Sequence, residues 1–119
     1  MTATALRFPL QPIHIEDFCH EFFSQTSVVA WINSPGGVVL AVSDNYENNT
    51  GISAPTNSHI SELFPPDALQ RVTELNTEAL ANGHSEATLA VCGKVWRSWQ
   101  FLIQHGGRTL VLGMAAPIC

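Results

Sequence analysis

Two short apolar segments on either side of a Ser34-Pro35-Gly36-Gly37 turn constrain the fold of this 119-residue chain more than any other feature. Residues 28–33 and 38–42 are rich in valine and other strand-forming residues. The proline and the two glycines between them are typical of a tight turn. This arrangement predicts a β-hairpin near the start of the chain.

The last third of the chain predicts three more strands. Residues 86–91 alternate between apolar and polar positions, and the turn at Gly93-Lys94 leads into a second apolar run over residues 95–105. A turn at Gly106-Gly107 then leads into residues 108–115. Short turns between such runs predict consecutive antiparallel strands.

Two helices are predicted outside these strands. Residues 13–24 follow Pro12 and place four apolar side chains at helical spacing, which is typical of an amphipathic helix; these are Ile15, Phe18, Phe22 and Phe23. Residues 67–82 follow Pro65-Pro66 and end before Gly83, with Asp67 and Gln70 at the spacing of a capping box. Residues 43–64 predict short helical turns and loops. The element order predicts an α+β fold, a five-stranded antiparallel sheet with its helices on one side.

Composition excludes several classes of protein. Hydrophobic residues make up 45% of the chain, which indicates a folded domain. Ten acidic residues against five basic ones give a net charge of −5, which disfavours binding to nucleic acid. No apolar run approaches the ~20 residues needed to span a membrane. The three cysteines form no CxxC pair, and we expect a reducing, cytoplasmic location.

The order of these elements and the residues at their joints resemble a PAS domain of the bacterial sensory-box family. The resemblance rests on the hairpin at residues 28–42, on NYENNTGIS at residues 45–53, on ISELFPPD at residues 60–67, and on Gly83 followed by three strands. It covers roughly residues 13–116. The family usually has Asn where this chain has Ser43, which would shorten an amide-based brace at the end of the second strand.

The resemblance divides the chain into a leader over residues 1–12, a flanking helix over residues 13–25, a sensor domain over residues 26–116 and the start of a linker at residues 117–119. We expect a piece of a larger signalling protein whose output domain, a kinase, a cyclase or a DNA-binding domain, is missing. The domain itself is expected to be non-enzymatic and to form a homodimer. It would relay a conformational change caused by a small ligand, and neither that ligand nor any cofactor is specified by the sequence.

Candidate site residues follow from the resemblance and from the strand pattern. An apolar ligand cavity is expected to be lined by Val28, Ala30, Ile32, Leu40, Ile60, Leu63, Val72, Leu75, Leu89, Trp99, Phe101 and Leu112. In this interpretation Trp99 and Phe101 point into the cavity, whereas Trp96 lies on the opposite face of its strand. A dimer interface is expected to contain Phe18, Phe22, Phe23 and Trp96.

Two residues have alternative interpretations. His59 could bind haem iron from a short helix, as in some haem-binding PAS domains, or it could cap that helix. Arg97 could anchor an anionic ligand, or it could pair with a carboxylate such as Glu86. No catalytic motif and no metal-ligand spacing is present, so no catalytic or metal residue is predicted.

A different class of fold also suits this length. A small conical α+β enzyme of the ketosteroid-isomerase type would use an acid–base pair in an apolar pocket. That alternative requires an acid such as Asp44 or Asp67 to lie in the pocket with a raised pKa. The early hairpin argues against it, because such enzymes normally begin with a longer helical section.

Overall fold

The computed structural model describes residues 14–53, 57–91 and 93–118. The predicted leader at residues 1–12 and the cysteine Cys92 lie outside these residues. The order of elements is α1 (Ile15–Gln25), β1 (Val29–Asn33), β2 (Val39–Val42), α2 (Tyr46–Thr50), α3 (Ile60–Leu63), α4 (Pro66–Asn82), β3 (His84–Val91), β4 (Lys94–His105) and β5 (Arg108–Pro117).

The five strands form one sheet in the order β2-β1-β5-β4-β3, and every neighbouring pair is antiparallel. The last strand lies between β1 and β4, so the hairpin near the start of the chain joins the three consecutive strands at its end. This arrangement confirms the predicted α+β class and the five-stranded antiparallel sheet with its helices.

The core lies between the sheet and helices α2, α3 and α4. Helix α4 buries one side, and that side contains Ala68, Val72, Leu75, Asn76 and Ala79. The 3.6-residue period predicts four of these five positions, and only Asn76 breaks the apolar pattern. The sheet contributes the alternate residues of β1 and β3, among them Val29, Trp31 and Leu89.

Polar side chains are also buried between α4 and the sheet. Asn33 donates from Nδ2 to Asn76 Oδ1 at 3.0 Å. Ser85 donates from Oγ to the Leu75 carbonyl at 2.7 Å, and Gln100 donates from Nε2 to Ser98 Oγ at 3.0 Å. These bonds matter because a buried polar group without a partner costs about 1–3 kcal/mol. Among the described residues, no buried side-chain nitrogen or oxygen lacks a hydrogen bond.

The expected orientation of β4 is wrong. Trp96, Ser98 and Gln100 point into the core, and Trp96 is only 4% exposed. Trp99 and Phe101 are half-buried on the opposite, outer face. The outward-facing residues of β4 are more apolar than the inward-facing ones, so the apolar pattern predicted the wrong face for the core. Hydrogen bonds among buried side chains offset the cost of removing Ser98 and Gln100 from water.

The expected orientation of β1 is wrong for a related reason. Val29 and Trp31 are buried, whereas Ala30 and Ile32 are half-buried on the outer face. Residues 28–32 are all apolar, so alternation gives no indication of which set faces the core. Leu112 of β5 is opposite Ile32 and therefore lies on the outer face as well.

Helix starts differ from the expected pattern at one point. The capping box expected from Asp67 and Gln70 is not formed, because α4 begins one residue earlier, with Pro66 in its first turn and no side-chain cap. A capping box is present at α3 instead. There His59 accepts from the Ser61 amide, and Glu62 Oε2 accepts from the His59 amide at 3.1 Å.

Candidate functional site

The space between the sheet and the helices is a small apolar cavity of about 20 Å³. A single water molecule would fit by size, but an apolar wall offers it few partners. The cavity is far smaller than the roughly 300–1,000 Å³ of typical ligand pockets. Its lining consists of Val29, Trp31, Tyr46, Thr50, Ile52, Phe64, Leu89, Val91, Trp96, Ser98 and Ala115.

Trp31 is a buried side chain in the wall of this cavity. Its indole packs against Gly113 of the neighbouring strand, where an added Cβ would overlap Trp31 Cε2, Cζ2 and Nε1. The ring also meets Phe64 and Tyr46 edge to face, with centroid distances of 5.3 and 6.4 Å. Glycine at position 113 therefore leaves the space that the Trp31 indole occupies.

The residues predicted to line the cavity divide into two groups. Ile60, Leu63, Val72, Leu75 and Leu89 belong to the buried core, and Leu89 lines the cavity itself. The others do not line it. Of these, Ala30, Ile32 and Leu112 line a groove on the outer face of the sheet, and Val28, Leu40, Trp99 and Phe101 are half-buried. The cavity is also lined by the aromatic side chains Trp31, Tyr46, Phe64 and Trp96. The first three were missed because the sequence around them has no distinctive spacing, and Trp96 was expected on the opposite face of its strand.

His59 does not face the cavity. Its Nδ1 accepts from the Ser61 amide at 3.1 Å, so the proton is on Nε2, which donates to the Gly36 carbonyl at 3.0 Å. Both ring nitrogens are thus engaged, and the side chain is exposed. The residues present do not fit a haem held by His59, because neither the nitrogen lone pair nor the space is available. The histidine instead holds the β1–β2 turn against α3.

Arg97 pairs with an acid. Its Nη2 lies 2.8 Å from Glu86 Oε2, and its Nη1 donates to Thr88 Oγ1 at 3.3 Å. The hydrogen bond from Arg97, together with its charge, holds the pKa of Glu86 below its ordinary value. Arg97 therefore lies on the outer face of the sheet, away from the cavity.

Ser43 and Asn45 together make the brace that a single Asn was expected to supply. Ser43 Oγ accepts from the Ala30 amide at 3.0 Å and donates to Asn45 Oδ1 at 2.7 Å. Asn45 Nδ2 in turn donates to the Val28 carbonyl at 2.7 Å. The shorter serine is thus extended by the amide two residues later, and the brace joins the end of β2 to the segment between α1 and β1.

Helix α1 contacts the rest of the domain loosely. None of its residues is buried, and Ile15 and Phe18 are 69% and 54% exposed. Phe23 lines the outer-face groove, and His20 Nδ1 lies 2.9 Å from Asp44 Oδ2. Since both members of the His20–Asp44 pair are at least 70% exposed, the contact contributes little to stability.

Neither acid of the enzyme alternative lies in the apolar cavity. Asp44 is 76% exposed and Asp67 is exposed on the first turn of α4. Within residues 14–53, 57–91 and 93–118, no cluster of three or more His, Cys, Asp or Glu residues could hold a metal ion. In the same part of the chain, no helix is both long enough and apolar enough to cross a membrane.

Several solved structures of similar fold are described as PAS domains. One from Colwellia psychrerythraea has 15% sequence identity and a TM-score of 0.69, over 88% of this chain and 98% of that one. The PAS domain of nitrogen regulation protein NR(II) from Vibrio parahaemolyticus has 16% identity and a TM-score of 0.65, over 83% and 96%. The PAS domain of BvgS from Bordetella pertussis has 15% identity and a TM-score of 0.61, over 88% and 87%.

Comparisons of sequence add no relative, since no protein-family model matches the chain and no curated protein matches it. The likeness is therefore one of architecture. The strand order, the short helices before α4 and the three consecutive strands after it agree with the resemblance noted in the sequence. The chain has the PAS fold.

Proposed function

We propose that this chain is a sensory and dimerisation module of a cytoplasmic signal-transduction protein, without catalytic activity of its own. It would pass a conformational change to an attached output domain, a histidine kinase, a diguanylate cyclase or a transcription regulator. The fold supports this proposal, since a structure of similar fold is described as a sensory box sensor histidine kinase from Vibrio cholerae.

One observation carries the dimerisation part of the proposal. Helix α1 leaves Ile15 and Phe18 exposed to water, although it is amphipathic and an apolar side normally packs against something. The outer face of the sheet beside Phe23 is also apolar and half-exposed, and it presents Ala30, Ile32, Trp99, Phe101, Leu112 and Met114. A second copy of the chain would cover both surfaces. Trp96 has no part in this interface, because it is buried in the core.

The brace supplies a route from the cavity to α1. Tyr46 and Thr50 of α2 line the cavity, and Asn45 immediately precedes this helix. Asn45 donates to the Val28 carbonyl at 2.7 Å and to the Thr26 carbonyl at 3.3 Å, just beyond the end of α1. A displacement of α2 would therefore change the position of α1 and, through it, the dimer.

Sedimentation velocity over a dilution series of the full chain tests this function. We expect a reversible dimer, and a Phe18→Asp variant should weaken it by about tenfold or more, because it places a charge in the apolar interface. Asp17→Asn changes the charge of the neighbouring, exposed position and serves as the matched control. A chain that stays monomeric, or a dimer of unchanged affinity in Phe18→Asp, would contradict the proposal.

A further inference from the structure

A groove of about 200 Å³ lies directly outside the cavity, between the end of α2 and the turn that joins β3 to β4. Thr50, Val91 and Trp96 line both the groove and the cavity, so these side chains form a wall common to the two spaces. The groove is completed by Asn49, Gly51 and Lys94.

The groove contains one cation, the ammonium group of Lys94. Lys94 Nζ lies 5.5 Å from the centroid of the Trp96 ring, within the range of a cation–π contact. In the part of the chain that the structure describes, Arg71 and Arg97 each pair with a glutamate, whereas Lys94 pairs with no carboxylate. An ammonium group is therefore available to an anion in a chain that is otherwise acidic.

The rest of the lining is suited to an apolar body. Val91 and Trp96 contribute a small apolar surface, since these side chains are 8% and 4% exposed. The Thr50 hydroxyl donates to the Tyr46 carbonyl at 2.7 Å and accepts from the Ile52 amide at 3.1 Å, so it is already satisfied by backbone groups. A ligand here would meet one cation at the rim and an apolar, partly aromatic wall beneath it.

We propose that this groove binds a small aromatic monocarboxylate, with its carboxylate on Lys94 and its ring against Trp96, Val91 and Thr50. Aromatic rings pack favourably on tryptophan, and a carboxylate matches an ammonium group through a charge-assisted hydrogen bond. A dianion would be disfavoured by the single cation and the net charge of −5. Because α2 forms one side of the groove and the brace begins beside it, binding would act on α1; this consequence, unlike the binding itself, rests on the proposed sensory function.

The test is an NMR titration of the full chain with phenylacetate and with its uncharged analogue phenylacetamide. We expect phenylacetate to shift the Trp96 indole N–H saturably in the millimolar range or below. Replacing the carboxylate by the amide should weaken binding by about tenfold, the effect of losing one charge-assisted hydrogen bond. Equal binding of the two compounds, or no saturable shift of Trp96 with phenylacetate, would overturn the proposal.

Substitutions of Lys94 test whether this residue causes the preference for phenylacetate over phenylacetamide. Lys94→Gln should lower the affinity for phenylacetate by about tenfold and leave that for phenylacetamide unchanged. Lys94→Arg should keep the preference for the anion. Arg108→Gln is the matched control, because it removes one exposed positive charge at the β4–β5 turn, the opposite end of β4. If Arg108→Gln weakens binding as much as Lys94→Gln, the effect is one of net charge and the site is wrong. A monomeric chain that still binds phenylacetate through Lys94 would contradict the proposed dimer but support the site.

Discussion

The two faces of the sheet differ in a way that their composition does not suggest. The inner face of β4 contains Ser98 and Gln100 and is buried, whereas the outer face contains Trp99, Phe101 and Ile103 and is half-exposed. The Ser98 and Gln100 side chains are hydrogen-bonded to each other, and Gln100 also accepts from Ser85 of β3, which in turn donates to the Leu75 carbonyl of α4, so they can be buried at little cost. An apolar face left half-exposed on a folded domain is instead typical of a surface that contacts another molecule. The inner face stabilises the domain, and the outer face is available for a partner.

The largest difference in stability is expected between alanine substitutions of two tryptophans on the same strand. Trp96→Ala removes a core indole and should cost about 3–5 kcal/mol, as for other large-to-small core substitutions. Trp99→Ala removes the same side chain from the half-exposed face and should cost roughly 1 kcal/mol in the monomer. Urea denaturation at concentrations where the chain is monomeric measures both. A larger cost for Trp99→Ala would reverse the assignment of the two faces.

The next largest loss of stability is expected where Trp31 packs against Gly113. Gly113→Ala places a Cβ against the indole and should destabilise the domain by about 2–3 kcal/mol, since overpacking forces the ring or the strand to move. The double variant Trp31→Leu, Gly113→Ala should show that the two changes are coupled, because the smaller side chain leaves room for the new methyl group. Urea denaturation of the original chain, the two single variants and the double variant measures this coupling. If the losses of unfolding free energy in the two single variants simply add in the double variant, the packing of the indole does not require glycine at position 113.

The smallest effect on stability is expected for the ion pair between Arg97 and Glu86 on the outer face. Arg97 holds the pKa of Glu86 below its ordinary value of 4.5, so this pair stabilises the fold above that pH, and the contribution is lost as the pH falls through the lowered pKa. In Arg97→Gln the pKa of Glu86 should return towards 4.5, as measured by NMR titration. Arg71→Gln is the control, since Arg71 pairs with Glu74 and should leave Glu86 unchanged. An unchanged pKa of Glu86 in Arg97→Gln would show that the ion pair is not formed in solution.

Much of the fold could be predicted from local signals. The Ser34-Pro35-Gly36-Gly37 turn, the buried side of α4 and the three glycine-punctuated strands each follow from a pattern that a single segment carries. The faces of the strands could not be predicted in the same way. Residues 28–32 are uniformly apolar. In β4, burial of Gln100 depends on a hydrogen bond from Ser85, which also donates to the Leu75 carbonyl, and both of these residues are distant in the sequence.

The residues of the candidate sites could likewise be predicted only where a local pattern marks them. The wall between the cavity and the outer groove combines Thr50 with Val91 and Trp96, which only the packed fold brings together. Of the two alternatives that the sequence leaves open for each residue, the structure shows the helix cap for His59 and the ion pair with Glu86 for Arg97. Trp31 is visible in the sequence, but its place over Gly113 depends on the pairing of β1 with β5.

Fluorine NMR of the chain labelled with 5-fluorotryptophan, followed through a dilution series, tests most directly the claim that the two faces have different roles. The structure predicts that the Trp99 resonance shifts as the dimer dissociates and broadens with a soluble paramagnetic agent in the monomer. The Trp31 resonance should respond to neither, and the Trp96 resonance should not shift with dilution. A Trp96 resonance that moves with dilution while Trp99 stays constant would contradict the account.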